Sequence, residues 1–196
     1  MVMGMPVREL ELNNFIGKGA TRLCFAHPSD DDKCIKVAMR YKEEYLLERE
    51  LVTYKKIQSK IGKYLPKYEN ELVRTNLGKG LVCERIRDFD GKKCNTLAQY
   101  LWENKINNEI KSQIKEFADL LLKQNIIFYD FNLENFIVQI TSSGKKKLYY
   151  SDIKSYQRYK PWTFLGLERL LPPLAKFLMK KRLERLLGIL KINTKL

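Results

Sequence analysis

Ile126-Ile127-Phe128-Tyr129-Asp130-Phe131-Asn132-Leu133-Glu134-Asn135 runs directly into the apolar stretch Phe136-Ile137-Val138-Gln139-Ile140. A helical pattern precedes it, so an Asp-x-Asn-x-x-Asn cluster sits between a helix and a hydrophobic strand. That setting fixes acidic and amide oxygens in a loop on a packed scaffold. The turn Ser142-Ser143-Gly144 and the run Lys147 to Tyr150 complete a hairpin. Ser151-Asp152 then brings another carboxylate to the end of a strand. Two carboxylates and an amide at one end of a hairpin are hard oxygen donors, the kind that hold Mg²⁺ alongside phosphate oxygens. Each of these residues taken alone is also an ordinary turn former. Their order and spacing together carry the reading.

Toward the N-terminus, Ile16-Gly17-Lys18-Gly19-Ala20-Thr21-Arg22 places two glycines between strand-like runs. Glycines there let a backbone approach a phosphate and aim N–H groups at it, although a glycine pair also makes a plain hairpin turn. It is not a Walker loop, since no Gly-Lys-Ser/Thr opens a helix. A turn-rich segment, His27 to Asp32, leads into the short buried strand Cys34-Ile35-Lys36-Val37-Ala38. An amine inside an apolar strand needs an anionic partner, unless it faces outward from an edge. Glu43 to Ile61 takes helical spacing through Leu47, Leu51, Tyr54 and Ile61. Glu50 falls at the margin of that apolar face and is the natural partner for Lys36, with Glu48 as the fallback. A solvated helix charge is the plainer alternative.

Glu71 to Thr75 and Gly80 to Ile86 read as a second hairpin, and Thr96 to Asn104 and Asn108 to Lys123 as helices, the latter capped by Asn108. Strands come first, then helices with one inserted hairpin, which is an α+β pattern. From Leu174 to Leu190 a leucine-rich segment carries Lys176, Lys180, Lys181, Arg182 and Arg185. Such a helix suits either an anionic membrane surface or packing against the protein's own core.

With 44% hydrophobic and 31% charged residues, the 196-residue chain is globular rather than disordered. A net charge of +14 favours an anionic partner: nucleotide, phospholipid head group, saccharide or nucleic acid. No recognisable nucleic-acid module accompanies it. The four cysteines form no CxxC pair and there is a single histidine, which argues against a zinc site or a disulfide framework. Scattered thiols fit a reducing compartment. Neither a signal peptide nor an apolar run of about 18 residues is evident. The expectation is a cytoplasmic protein, in contact with the inner face of the membrane only if the basic tail faces lipid rather than the protein's own core.

Taken together, the motifs resemble a protein-kinase-like domain, and more closely the PhoP regulatory network family of the YrbL type. Gly17 and Gly19 match the first two glycines of the kinase glycine-rich loop, Lys36 its strand lysine and Glu50 its helix glutamate. Gly80 to Ile86 is similar to the strand entering the hinge, which implies nucleotide contacts at Cys83 and Glu84. Asp130 and Asn135 keep the D-x-x-x-x-N spacing, and Asp152 stands at the metal-binding aspartate. The resemblance implies a two-lobed fold in which a small antiparallel sheet with a helix precedes a truncated, mostly helical large lobe. The lobes would be about 1–86 and 87–173, followed by a basic amphipathic segment, 174–196. It further implies Mg²⁺ and ATP as cofactors, Asn135 and Asp152 as metal ligands, Asp130 as the catalytic residue, and a phosphate acceptor that is a small hydroxylated molecule or anionic saccharide. The departures are Arg22 for the third glycine, Phe128-Tyr129 for His-Arg, Asn132 for a lysine, and Ile153-Lys154 for Phe-Gly. These, and the shortened C-terminal part, leave a nucleotide-binding pseudokinase as the alternative.

Overall fold

The computed structural model describes residues 7–128, 131–153 and 172–192, and in it the chain divides into two compact units. The first comprises Met1–Lys56 and Pro66–Ile86, the second Ile57–Leu65 and Arg87–Leu196. Both are α+β, and both of their sheets are antiparallel throughout.

The first unit is built on five strands: β1 (Phe15–Lys18), β2 (Arg22–His27), β3 (Asp30–Ala38), β4 (Tyr68–Thr75) and β5 (Gly78–Glu84), in the order β1-β2-β3-β5-β4. Alternation along β3 sends Ile35 and Val37 to one face, where they pack with Leu10, Phe25 and Val82. Cys34 and Lys36 therefore lie on the opposite face. Helix α1 (Tyr45–Ile61) buries Leu47, Glu50, Leu51 and Tyr54. The β4–β5 hairpin is longer than the sequence indicated, reaching back to Tyr68 and closing over Asn76-Leu77. Gly78 takes φ +103°, a conformation open to glycine and costly for other residues.

In the second unit β6 (Asn95–Thr96), β7 (Phe136–Ile140) and β8 (Lys146–Tyr150) form a sheet in that order. Helix α2 (Leu97–Trp102) begins with a capping box: the Thr96 hydroxyl accepts from the Gln99 N–H, and the Gln99 side chain accepts from the Thr96 N–H. Helix α3 (Asn108–Lys123) is capped one residue earlier than expected. The Asn107 side chain accepts the Ile110 N–H at 3.0 Å, because Asn107 has the extended backbone a cap requires, while Asn108 is already helical. Gln113 of α3 reaches the edge strand β8, donating to the Lys146 carbonyl at 2.7 Å and accepting from the Leu148 N–H at 2.9 Å. Backbone groups that an edge strand leaves unpaired are satisfied in this way. Helix α4 (Pro172–Ile189) contacts α3. No described helix is long and apolar enough to cross a membrane.

Candidate functional site

On the Lys36 face of the first sheet a fully buried carboxylate gathers polar groups from three elements. Lys36 Nζ lies 2.9 Å from Glu50 Oε1, and the Tyr68 hydroxyl donates to the same oxygen at 2.7 Å. Tyr68 also accepts from Lys36 at 3.1 Å, and its ring lies beneath the ammonium, 5.1 Å from Nζ to centroid. The second carboxylate oxygen, Oε2, faces the Arg22 guanidinium, which also donates to the Leu46 carbonyl at 3.4 Å. The lysine and arginine side chains are only 17% and 12% exposed. A carboxylate without any solvent contact is tolerable only when paired in this manner. Glu48, the fallback, is exposed and pairs with Lys79 at 2.6 Å.

The expected Lys36–Glu50 pair is thus formed, and two further members escaped the sequence reading. The resemblance sets Arg22 in the loop, in place of the third glycine. Arg22 instead begins β2, opposite Ala38, and turns to Glu50. Tyr68 lay outside the expected strand, in a stretch with no apolar alternation to betray it. In the loop between β1 and β2 the Gly19 N–H donates to the Arg22 carbonyl at 2.8 Å. Gly17 has open space where a Cβ would stand, and at Gly19 the nearest atom is 3.9 Å from it. Neither glycine has positive φ. Local packing therefore does not demand a glycine at either place.

Cys83 is buried, with its sulfur 3.4 Å from that of Cys34, and Glu84 accepts the Lys67 N–H at 3.0 Å. Both border a cavity of about 320 Å³ whose other walls are Asp30, Asp32, Lys33, Lys67, Tyr68 and Glu69. Lys33 bridges two of those acids, 3.1 Å from Asp30 and 3.0 Å from Glu69, and hydrogen bonds to Glu69 and then Asp30 raise its pKa.

In the second unit, Asn135 closes a short 3-10 turn, Leu133–Asn135, ahead of β7. Its carbonyl accepts from the Ser151 N–H at 2.8 Å and the Ser151 hydroxyl at 3.0 Å. Asn135 and Ser151-Asp152 are therefore held at the same end of the hairpin, as their spacing suggested. The Asn135 side-chain nitrogen is buried with no hydrogen-bond partner among the described residues. Beneath them Tyr150 is surrounded by the rings of Phe128, Phe136 and Phe117 at 4.9, 5.0 and 5.5 Å. Phe128 is wholly buried in this aromatic core. Asp130, the expected catalytic residue, lies outside the described residues.

The fold and these clusters define an α+β protein with a buried Lys–Glu–Arg–Tyr network in one unit and an Asn/Asp corner in the other. The family model described as PhoP regulatory network protein YrbL matches residues 9–186, and the chain belongs to that family. It is 32% identical over 137 residues to the uncharacterized protein YrbL of Escherichia coli (strain K12), a match covering 66% of this chain and 65% of that protein. The uncharacterized protein YrbL of Shigella flexneri matches to the same extent. The chain thus spans 65% of the length of these relatives.

Proposed function

We propose that the chain is a kinase-like protein that binds Mg-ATP and transfers its terminal phosphoryl group to a hydroxyl acceptor, within a PhoP-type regulatory network. The observation carrying the reading is Lys36 of β3, the second strand after a two-glycine loop, held 2.9 Å from a fully buried Glu50. Glu50 orients the ammonium, as a lysine that holds α- and β-phosphates requires. Gly17 and Gly19 fit the same reading, since the space beside them suits the close approach of a phosphate.

The donor set of Asn135 and Asp152 fits Mg²⁺, which takes few protein oxygens and completes its shell with phosphate and water. The unpartnered Asn135 side-chain nitrogen is a donor and suits an acceptor beside the metal, such as a phosphate oxygen. When bound, Mg-ATP supplies the activated phosphoryl group. Asp130 is assigned the acceptor hydroxyl, which it orients and whose proton it takes. The acceptor proposed is a small hydroxylated molecule or an anionic saccharide.

Thermal unfolding with and without millimolar Mg-ATP tests the nucleotide part, because a ligand of the native state alone raises the melting temperature. No shift in a monodisperse sample, confirmed by calorimetry, ends it. Asp130→Asn is expected to abolish turnover with little loss of nucleotide affinity, and Asp152→Asn to weaken metal-dependent binding as well. The Arg22 guanidinium on Glu50 favours a second reading, a pseudokinase whose buried network is structural. Binding without transfer of label from ATP would select it.

A further inference from the structure

The cysteines look scattered in sequence, yet the first sheet assembles three of them. Cys24 is on β2, Cys34 on β3 and Cys83 on β5. The register sets Cys34 opposite Cys83 and Cys24 opposite Lys36, so all three share the Lys36 face. The sulfurs of Cys34 and Cys83 are 3.4 Å apart, and Cys24 stands diagonally across from Cys34, two residues along β2 from Ala26, which faces it. Cys34 and Cys83 are buried, whereas Cys24 is half-buried and gives the group its access. Directly opposed residues on antiparallel strands have Cα atoms about 4.5–5.5 Å apart, inside the range a disulfide spans.

We propose that Cys24, Cys34 and Cys83 form an oxidisable thiol relay, a modification site at which a hydroperoxide converts the Cys34–Cys83 pair into a disulfide. The Cys24 thiolate attacks the outer oxygen of the hydroperoxide. An S–O bond forms, the O–O bond breaks, and the alkoxide or hydroxide leaves with a proton from solvent. Cys34 then attacks the Cys24 sulfur, forming an S–S bond and releasing the sulfenic oxygen as water with the Cys34 proton. Cys83 attacks the Cys34 sulfur, and Cys24 returns as a thiol. Two thiols have lost two electrons and two protons to one hydroperoxide, which ends as water and an alcohol, or as two waters.

The electrostatics favour the first and last attacks, by Cys24 and Cys83, while Cys34 serves as the proton donor between them. A hydrogen bond from Cys34 lowers the Cys83 pKa to about 7 against the effect of burial, assisted by the charges of Lys36 and Arg22. The Cys34 thiol likewise lowers that of Cys24, and the shared proton raises that of Cys34 itself. Cys94 supplies an internal control. Its S–H donates to Asp88 at 3.2 Å, and burial followed by that hydrogen bond pushes its pKa upward.

The reduced full chain, treated with near-stoichiometric hydrogen peroxide and monitored for folding by circular dichroism, tests the relay. The expected product is about 2 Da lighter, the loss of two hydrogens, and returns to its starting mass with dithiothreitol. Peptide mapping should give a Cys34–Cys83 link with Cys24 and Cys94 still alkylatable. Cys24→Ser, a change at the accessible position, should slow the reaction at least about tenfold while leaving the melting curve in place. Cys83→Ala, checked for folding in the same way, should stop at a Cys24–Cys34 link. Four free thiols after treatment, a link through Cys94, oxygen addition without a link, a wild-type link ending at Cys24–Cys34, or an undiminished rate in Cys24→Ser would each overturn the proposal.

Discussion

Glu50 has no exposure to water, and its oxygens are held by Lys36, Tyr68 and Arg22. Removing its charge leaves two mostly buried cations without their shared anion, a situation that costs several kcal/mol. Glu50→Gln should therefore lower the unfolding free energy by about 3 kcal/mol. Glu48→Gln, whose pair with Lys79 is half exposed on both sides, should change it by less than about 1 kcal/mol. Equal denaturant midpoints for the two variants would contradict the buried-network description. His27 offers a second test, as the only histidine in the chain. It is buried, and its Nδ1 accepts from the Ser29 N–H at 3.3 Å. Burial first, then the Arg8 charge, lower its pKa below the ordinary 6.5. Between those two values the unfolded chain binds the proton more readily, so stability falls as pH drops through the unfolded pKa. Unfolding free energy should therefore decline from about pH 7 to about pH 5, and decline less in His27→Gln. Parallel declines would assign the acid sensitivity to other groups.

Strand β5 shows how tightly an element constrains its residues. A Cβ on Gly80 would stand 2.7 Å from Ile35 Cγ2 and 2.9 Å from Thr75 Cγ2, branched side chains with no easy retreat. Gly80→Ala should cost about 1–3 kcal/mol as an overpacked core position. Gly17→Ala, with nothing within 4 Å of the added carbon, should leave stability within about 0.5 kcal/mol. If the nucleotide loop is correctly assigned, that same change should diminish the Mg-ATP melting shift, and an unaltered shift would take Gly17 out of the site. Elements with strong periodicity were legible in the sequence. Leu47, Leu51, Tyr54 and Ile61 gave α1, and the apolar run after Asn135 gave β7. The start of β4 was not legible, because Tyr68-Glu69-Asn70 has no alternation and is drawn into the sheet by β5, Tyr68 facing Cys83. Nor was β6, a two-residue strand defined only by its pairing with β7. The site divides along the same line. Lys36 and Glu50 could be joined because a strand and a helix each marked one face. Arg22 and Tyr68 joined them through register alone, which local sequence does not encode.

At the scale of the molecule, the basic C-terminal segment had two readings, a membrane-facing stripe or a helix packed on its own domain. Burial favours the second: Met179, Leu183, Leu186, Leu187 and Leu190 are all at most 3% exposed, and α4 contacts α3, whose Ile110, Ile114, Phe117 and Leu121 are also buried. Phe177, at 54%, and Ile189, at 46%, remain at the surface. At about 2 kcal/mol for each fully buried apolar side chain, those five approach the whole stability of a typical domain, about 5–15 kcal/mol. Ending the chain after Pro173 should therefore abolish cooperative unfolding of the second unit rather than release a dispensable anchor. Leu183→Ala gives the graded version, a loss of about 3 kcal/mol from a cavity, whereas Phe177→Ala should stay within about 0.5 kcal/mol. The same variants address the membrane. With the leucine stripe covered, the net charge of +14 leaves electrostatic attraction as the means of adsorption. Full-length protein should then sediment with anionic vesicles only at low salt, stay in solution with neutral ones, and be released as ionic strength rises. A truncated chain that melts as before, while losing attachment to anionic vesicles, would make α4 a membrane element and defeat the packing account.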